Sequence, residues 1–222
     1  MFRLAKLSVA PVLAVLAAST FTSAHAVPVT IGFEAPPSNF FNGTASATEV
    51  GFTYSPSTTD PTTNSLYVAG NGNPGQDMES DGTINGGILK VVSNTVGQTF
   101  SFLGTDVATF NVVAGTPGTV TVTGLLGGQT VGTDSYTVNA VDFPGPNDNP
   151  SRYANWTTEL ASGLAGKQID TLLVNLPATS FDQAYAAIDN LQLETGVPEP
   201  ASLSLLGAGL LGLAAYRRRR AG

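Results

Sequence analysis

Two runs of alternating residues flank a pair of adjacent glycines in the middle of the chain. The runs are Gly118–Leu126 and Gln129–Val138, and Gly127 and Gly128 separate them. Glycines adopt the positive φ angles that a two-residue hairpin turn requires, and a period of two is typical of a strand with one buried face. This stretch therefore predicts a β-hairpin, and the residues on either side of it are expected to belong to a β-sheet.

The same alternation, broken by turn residues, recurs along most of the chain, and no window shows sustained helical periodicity. We expect about ten short antiparallel strands arranged as a β-sandwich. A long irregular loop is expected over Gly70–Gly87, and a turn over Gly104–Asp106. The other predicted strands are Val29–Glu34, Ala47–Tyr54, Ser65–Ala69, Ile88–Ser93, Gln98–Leu103, Val107–Ala114, Arg152–Leu160, Gln168–Leu176 and Tyr185–Leu193.

The N-terminal segment, residues 1–26, has the three parts of a secretory signal peptide. Arg3 and Lys6 precede the apolar stretch Leu7–Ala18, and Ala24-His25-Ala26 forms a small-x-small cleavage site. We therefore expect a signal helix, export through the Sec machinery and a mature chain that begins at Val27.

The C-terminal segment, residues 197–222, also has three parts. Pro198, Glu199 and Pro200 form an extended peptide, because proline fixes φ and lacks a backbone donor. Residues 201–216 are uncharged, and as a helix they would span roughly 24 Å, slightly less than a hydrocarbon core of about 30 Å. The segment ends in a cytoplasmic basic stop, which consists of Arg217, Arg218, Arg219 and Arg220.

This order of Pro-Glu-Pro, short apolar helix and basic stop resembles the PEP-CTERM sorting signal of Gram-negative bacteria. The resemblance implies recognition of Glu199 and its two prolines by an exosortase, with transient anchoring in the inner membrane. It further implies delivery to the cell surface or to the extracellular polymer of a biofilm. An ordinary C-terminal membrane anchor is the alternative, and whether the tail is cut stays open.

The net charge and the absence of two residue types exclude several functions for the segment between the two signals, residues 27–196. It carries three basic and 15 acidic residues, a net charge of −12, so nucleic acid is not an expected partner. It contains no cysteine, and the only histidine of the chain, His25, lies in the signal peptide. These absences exclude a Ser-His-Asp triad, a cysteine nucleophile and the usual zinc sites.

Three short motifs resemble jelly-roll domains of the carbohydrate-binding-module type. They are Ile31–Glu34, Val120–Gly124 followed by the glycine pair, and Ala187–Leu191. The resemblance implies that the first and last strands are neighbours and that Glu34 and Asp189 lie near each other. Such modules often hold a structural calcium there, so the resemblance implies a calcium site at these two carboxylates. Capping of strand ends by two solvated carboxylates is the alternative.

The acidic segment Asp77–Asn85 has the opening rhythm of a calcium loop, with Gly82 after three acids at alternate positions. Its twelfth position is Ile88, so the bidentate glutamate of an EF-hand is missing. An acidic surface loop is the interpretation that we favour over a second calcium site.

Tyr153 and Trp156 follow a loop rich in Pro, Asn and Asp and are candidate sugar-binding residues. Carbohydrate sites combine an aromatic ring face with polar groups that bind hydroxyls. Packing of Trp156 in the core is the alternative that we favour.

The sequence thus predicts a non-catalytic exported protein with a jelly-roll sandwich between two targeting segments. Its expected role is carbohydrate binding, with a possible structural calcium, in an exopolysaccharide matrix. A structural matrix protein without a ligand is the first alternative. A glycan hydrolase or lyase that uses paired carboxylates is the second.

Overall fold

Strands dominate the part of the chain that the structure describes. The structure is a computed structural model, and it describes residues 26–35, 39–42, 45–58, 65–72, 75–80, 86–111, 117–139, 141–142, 156–177, 184–196, 209–210 and 212. Within these ranges the strands are β1 (Pro28–Ile31), β2 (Asn39–Asn42), β3 (Ala47–Glu49), β4 (Phe52–Pro56), β5 (Ser65–Gly72), β6 (Gly75–Ser80), β7 (Gly87–Ser93), β8 (Phe100–Asn111), β9 (Pro117–Leu126), β10 (Gln129–Asn139), β11 (Val141–Asp142), β12 (Thr157–Leu160), β13 (Thr171–Leu176) and β14 (Ala184–Thr195).

These strands form two separate sheets, which confirms the predicted all-β sandwich. The eight-stranded sheet has the order β11-β8-β14-β6-β5-β2, with β1 added to β14 and β12 added to β8. The six-stranded sheet has the order β10-β9-β13-β7-β4-β3. All described pairs are antiparallel except that of β11 with β8.

The first and last described strands are neighbours, as the jelly-roll resemblance implies. β1 pairs with β14 from Pro28 opposite Glu194 to Ile31 opposite Leu191. The strand β14 also pairs with β8 and with β6, so it lies inside the eight-stranded sheet. Residues 26–196 form one compact unit.

The targeting segments fall almost entirely outside the described residues. Of residues 1–25 and 197–222 the structure describes Gly209, Leu210 and Gly212, which are helical. In the described part of the chain, no helix combines the length and the apolar character needed to cross a membrane. The sorting residues Pro198, Glu199 and Pro200, the four arginines and the predicted signal helix lie outside the described residues.

The core lies where the inward side chains of the two sheets meet. On β9 the inward residues Val120 and Val122 are fully buried, and the intervening Thr121 faces outward. Phe52 of one sheet packs edge-on against Phe100 of the other, with ring centroids 5.0 Å apart. Each fully buried side chain of this size contributes about 1.5–3 kcal/mol, so burial between the sheets holds the sandwich together.

A buried carboxylate fixes one turn to the edge of the six-stranded sheet. Asp134 of β10 is 4% exposed, and its two oxygens accept N–H bonds from Gly163 at 2.6 Å and from Leu164 at 3.1 Å. The N–H and the hydroxyl of Ser162 also donate to this carboxylate. A buried carboxylate requires such donors, so Asp134 orders the chain that connects β12 to β13.

The predicted hairpin at Gly127 and Gly128 is confirmed, with φ angles of 58° and 77°. A second hairpin, between β3 and β4, was not expected, since Ala47–Tyr54 is predicted as a single strand. Its turn residues are Val50 and Gly51, with φ angles of 43° and 88°. That prediction is wrong because a β-branched valine gives no turn signal.

Two further boundaries differ from the prediction. Residues Gly104–Asp106 form no turn but continue β8, and a Cβ added at Gly104 would lie 2.5 Å from the backbone oxygen of Glu159. Glycine is therefore needed there for the close approach of β12, not for a change of direction. Residues Gly75–Ser80 form β6, where a long irregular loop was expected.

We predict that Val50→Asn stabilises the protein, because a β-branched residue with a positive φ is strained whereas asparagine tolerates this region. Val50 is 50% exposed, so the replacement removes no core contact. The free energy of unfolding, measured by urea denaturation of the full chain, should rise by about 1 kcal/mol.

Val96→Asn is the matched control, because Val96 is fully exposed and lies outside the positive-φ residues. Its effect should stay within roughly 0.5 kcal/mol. Equal stabilities of the two variants would show that Val50 stores no strain.

Candidate functional site

Two buried aspartates lie opposite each other on β8 and β14. Asp106 and Asp189 are Cα partners in the antiparallel register, and they are 7% and 1% exposed. Their neighbours Val107 and Ile188 are core residues, so the aspartates project from the outer face of the eight-stranded sheet. Side chains at directly opposed positions have Cβ atoms about 4.5–5.5 Å apart, and like charges there are destabilising.

Hydrogen bonds from Asn190 and Thr158 hold these two carboxylates together. The amide nitrogen of the Asn190 side chain donates to Asp106 Oδ2 at 2.9 Å and to Asp189 Oδ2 at 3.5 Å. Thr158 Oγ1 donates to Asp106 Oδ1 at 2.6 Å, and the Asn190 N–H donates to Asp189 Oδ1 at 2.6 Å. We call Asp106, Thr158, Asp189 and Asn190 the carboxylate cluster.

A bulge in β14 makes this cluster possible. Ile188 and Leu191 both point into the core, and the register with β8 shifts between Asp189 and Gln192. Two consecutive residues, Asp189 and Asn190, therefore reach the same outer face, which strict alternation forbids. Asn190 has a φ of 47°, a conformation that asparagine adopts more readily than most residues.

Trp156 lies directly before β12 and two residues from Thr158, so in an extended chain the two side chains share one face. Trp156 is half-buried and does not belong to the core formed by the described residues. The expected packing of Trp156 in the core stays a prediction. The second candidate ring, Tyr153, lies outside the described residues.

Two more acidic side chains of β6 face the same side of the sheet. Asp77 and Glu79 are buried, and Met78 between them points into the core. Glu79 lies opposite Ala187 of β14, the strand that separates β6 from β8 and Asp106. The interpretation of these acids as an exposed surface loop is wrong for Asp77–Ser80, while residues 81–85 lie outside the described residues.

The predicted metal ligands Glu34 and Asp189 bind different partners. Glu34 is exposed, and its Oε1 accepts the N–H of Gln76 on β6 at 2.8 Å, whereas Asp189 belongs to the carboxylate cluster. In the described ranges no three or more His, Cys, Asp or Glu residues are grouped to hold a metal ion. The cluster supplies oxygen donors of the kind that calcium prefers, but its two carboxylates fill only part of a sphere of six to eight oxygens.

Two buried tyrosines support the fold and not the cluster. Burial, reinforced by the charge of Glu49, raises the pKa of Tyr54 well above its usual range. Burial also raises the pKa of Tyr136, with a further contribution from Asp134. Both hydroxyls therefore stay protonated at neutral pH, and the Tyr136 hydroxyl donates to the backbone oxygen of Leu160 at 3.2 Å.

Sequence reasoning found Trp156 and Asp189 but missed Asp106, Thr158 and Asn190. The composition Gly-Thr-Asp predicts a turn at Asp106, whereas β8 continues through this residue. The bulge that turns Asn190 outward has no sequence signal besides the Asp-Asn dipeptide itself.

Comparison with solved structures gives distant likenesses. A DUF4465 family protein from Bacteroides caccae is 13% identical, with a TM-score of 0.42 over 75% of this chain and 98% of the other. A family 29 carbohydrate-binding module from Piromyces equi is 12% identical, with a TM-score of 0.37 over 77% and 91%. A family 11 module from Clostridium thermocellum is 13% identical, with a TM-score of 0.33 over 79% and 99%.

No curated protein matches the chain. Residues 196–220 match the model of the PEP-CTERM protein-sorting motif, which confirms the prediction for the tail. The chain therefore carries a PEP-CTERM sorting signal, the mark of a protein that an exosortase directs to the cell envelope.

Proposed function

We propose that this protein is a non-catalytic carbohydrate-binding protein of the cell surface or the extracellular polysaccharide matrix. The sorting signal and the predicted signal peptide support an exported location. The observation that carries the binding role is Trp156, which is half-buried and two residues before Thr158, a member of the carboxylate cluster.

This arrangement offers the two kinds of contact that a sugar ring needs. The indole of Trp156 supplies an apolar surface for the C–H face of a pyranose. The exposed hydroxyl of Thr158 and the half-buried amide of Asn190 lie within the same cluster and suit sugar hydroxyls. Tyr153, three residues before Trp156, is the candidate second ring.

The opposed carboxylates of Asp106 and Asp189 favour a glycan hydrolase as the second candidate. Retaining glycosidases hold two carboxyl groups about 5–5.5 Å apart. Against catalysis, both aspartates are buried and both are hydrogen-bonded to Asn190. A structural matrix protein without a ligand is the remaining alternative.

We predict that Trp156→Ala weakens binding to polysaccharide by about tenfold or more, which corresponds to the loss of roughly 1.4 kcal/mol of contact with the ring. The measurement is affinity electrophoresis of the full chain in gels that contain purified polysaccharides. Leu160→Ala is the matched control, because Leu160 lies on β12 and is 66% exposed.

If the polysaccharide in the gel slows Trp156→Ala and Leu160→Ala equally, Trp156 is not part of the binding site. Turnover of a polysaccharide that disappears in Asp106→Asn would favour the hydrolase instead. Absence of both binding and turnover across neutral and charged polysaccharides would favour the structural matrix protein.

We further propose a structural calcium at Asp189, the residue that the resemblance pairs with Glu34. A divalent cation would relieve the repulsion between Asp189 and Asp106, which supports the proposal.

The midpoint of thermal unfolding should then be higher with calcium than with chelator, and Asp189→Asn should remove this difference. Glu194→Gln, near the C-terminal end of β14, is the control that should keep this difference. Equal midpoints for the unchanged protein in the two conditions would rule calcium out.

The sorting signal leads to a separate prediction. Deletion of residues 197–222 should leave the unit 26–196 folded and change where the protein accumulates. Circular dichroism checks the fold, and fractionation of the producing cells checks the location. Replacing Pro198, Glu199 and Pro200 by alanine in the full chain isolates the motif from the apolar helix. Unchanged accumulation of both variants would contradict an exosortase-dependent route.

A further inference from the structure

The outer face of the six-stranded sheet, the sheet that does not contain β12, is rich in threonine. Its strands alternate buried apolar residues with outward hydroxyl-bearing residues. Among these outward residues are Thr119, Thr121, Thr123, Thr133, Thr137 and Thr171. We call this surface the threonine face.

The threonine face is almost free of charge. Besides Glu49 of β3, whose carboxylate accepts hydrogen bonds from Gly32 and Tyr54, the strands of this sheet contain two charged residues, and one of them, Asp134, is buried. Lys90 is the other and is exposed. This nearly neutral surface contrasts with the net charge of −12 of residues 27–196, and the acid next to it, Asp170, accepts the N–H of Gly127 at the hairpin turn.

The register arranges these side chains in rows. Thr133 lies opposite Thr123, which lies opposite Leu173, and in the next row Ser135 lies opposite Thr121. Adjacent strands are about 4.8 Å apart, and alternate residues of one strand are about 6.7 Å apart. A partner that touches several rows therefore meets hydroxyl and methyl groups at regular intervals.

Hydrogen bonds between neighbouring threonines fix these side chains in place. The hydroxyls of Thr119 and Thr137 are 2.9 Å apart, and those of Thr123 and Thr133 are 3.5 Å apart. Each such pair keeps one O–H and several lone pairs for a partner. Because β-branched side chains are also stiff at χ1, a partner that binds here loses little free energy in ordering them.

We propose that the threonine face binds the surface of a neutral polysaccharide. The face carries one basic residue, Lys90 opposite Leu173, whereas an anionic polymer requires several, and the acidic remainder of the domain repels such a polymer. A neutral polymer of sugar rings instead offers hydroxyls to the threonines and C–H groups to their methyls and to Leu173. This surface is independent of the Trp156 site, so the two proposals can fail separately.

The test is depletion of the full chain from solution by microcrystalline cellulose, a neutral polysaccharide probe. The double variant Thr121→Glu/Thr123→Glu places two charges on the face, and its apparent Kd should rise at least tenfold. The milder Thr121→Ala/Thr123→Ala variant should show a smaller rise in the same direction. Thermal unfolding of each variant establishes that it is folded.

The control is Val96→Glu/Leu160→Glu, which places the same two charges at exposed positions outside the strands of the threonine face, and it should keep the retention of the unchanged protein on cellulose. Retention that depends on Trp156 but not on the threonines would overturn this proposal and leave the Trp156 site standing. Failure of the unchanged protein to bind cellulose, or equal depletion by the anionic polymer alginate, would also overturn it.

Discussion

The pairing of β14 with β8 is the interaction on which the rest of the structure depends. Ten residue pairs join these strands, from Ala184 opposite Asn111 to Thr195 opposite Phe100. Further strands attach on either side, since β14 also pairs with β1 and β6, and β8 also pairs with β12. The most distant parts of the domain sequence are thereby joined in one sheet.

This pairing also creates the candidate site. A regular ladder would place Asn190 in the core, where its amide would require buried partners. The bulge turns it outward, where it bridges two carboxylates that would otherwise repel each other. The same cluster holds the start of β12 through Thr158, and with it the backbone next to Trp156.

Local patterns in the sequence were sufficient for the fold class and for several elements. The glycine pair predicted its hairpin, and the resemblance between the motifs at Ile31 and Ile188 and those of jelly-roll domains predicted that the first and last strands are neighbours. Predictions failed where contacts between distant strands, and not the local sequence, decide the conformation of a residue. Gly104 allows two strands to approach, and Val50 occupies a turn against its own preference. The carboxylate cluster could not be predicted, because it depends on a register shift between strands far apart in sequence.

The direction of β14 has a mechanical consequence. The matched sorting segment begins at Gly196, the residue that follows this strand, and the N–H of Gly196 is bonded to the backbone oxygen of Thr99. The hydrogen bonds of β14 to β8, β6 and β1 run across the strand, so a pull on Gly196 directed along β14 acts on them sideways. The load is then shared by many hydrogen bonds in shear and does not open them one at a time.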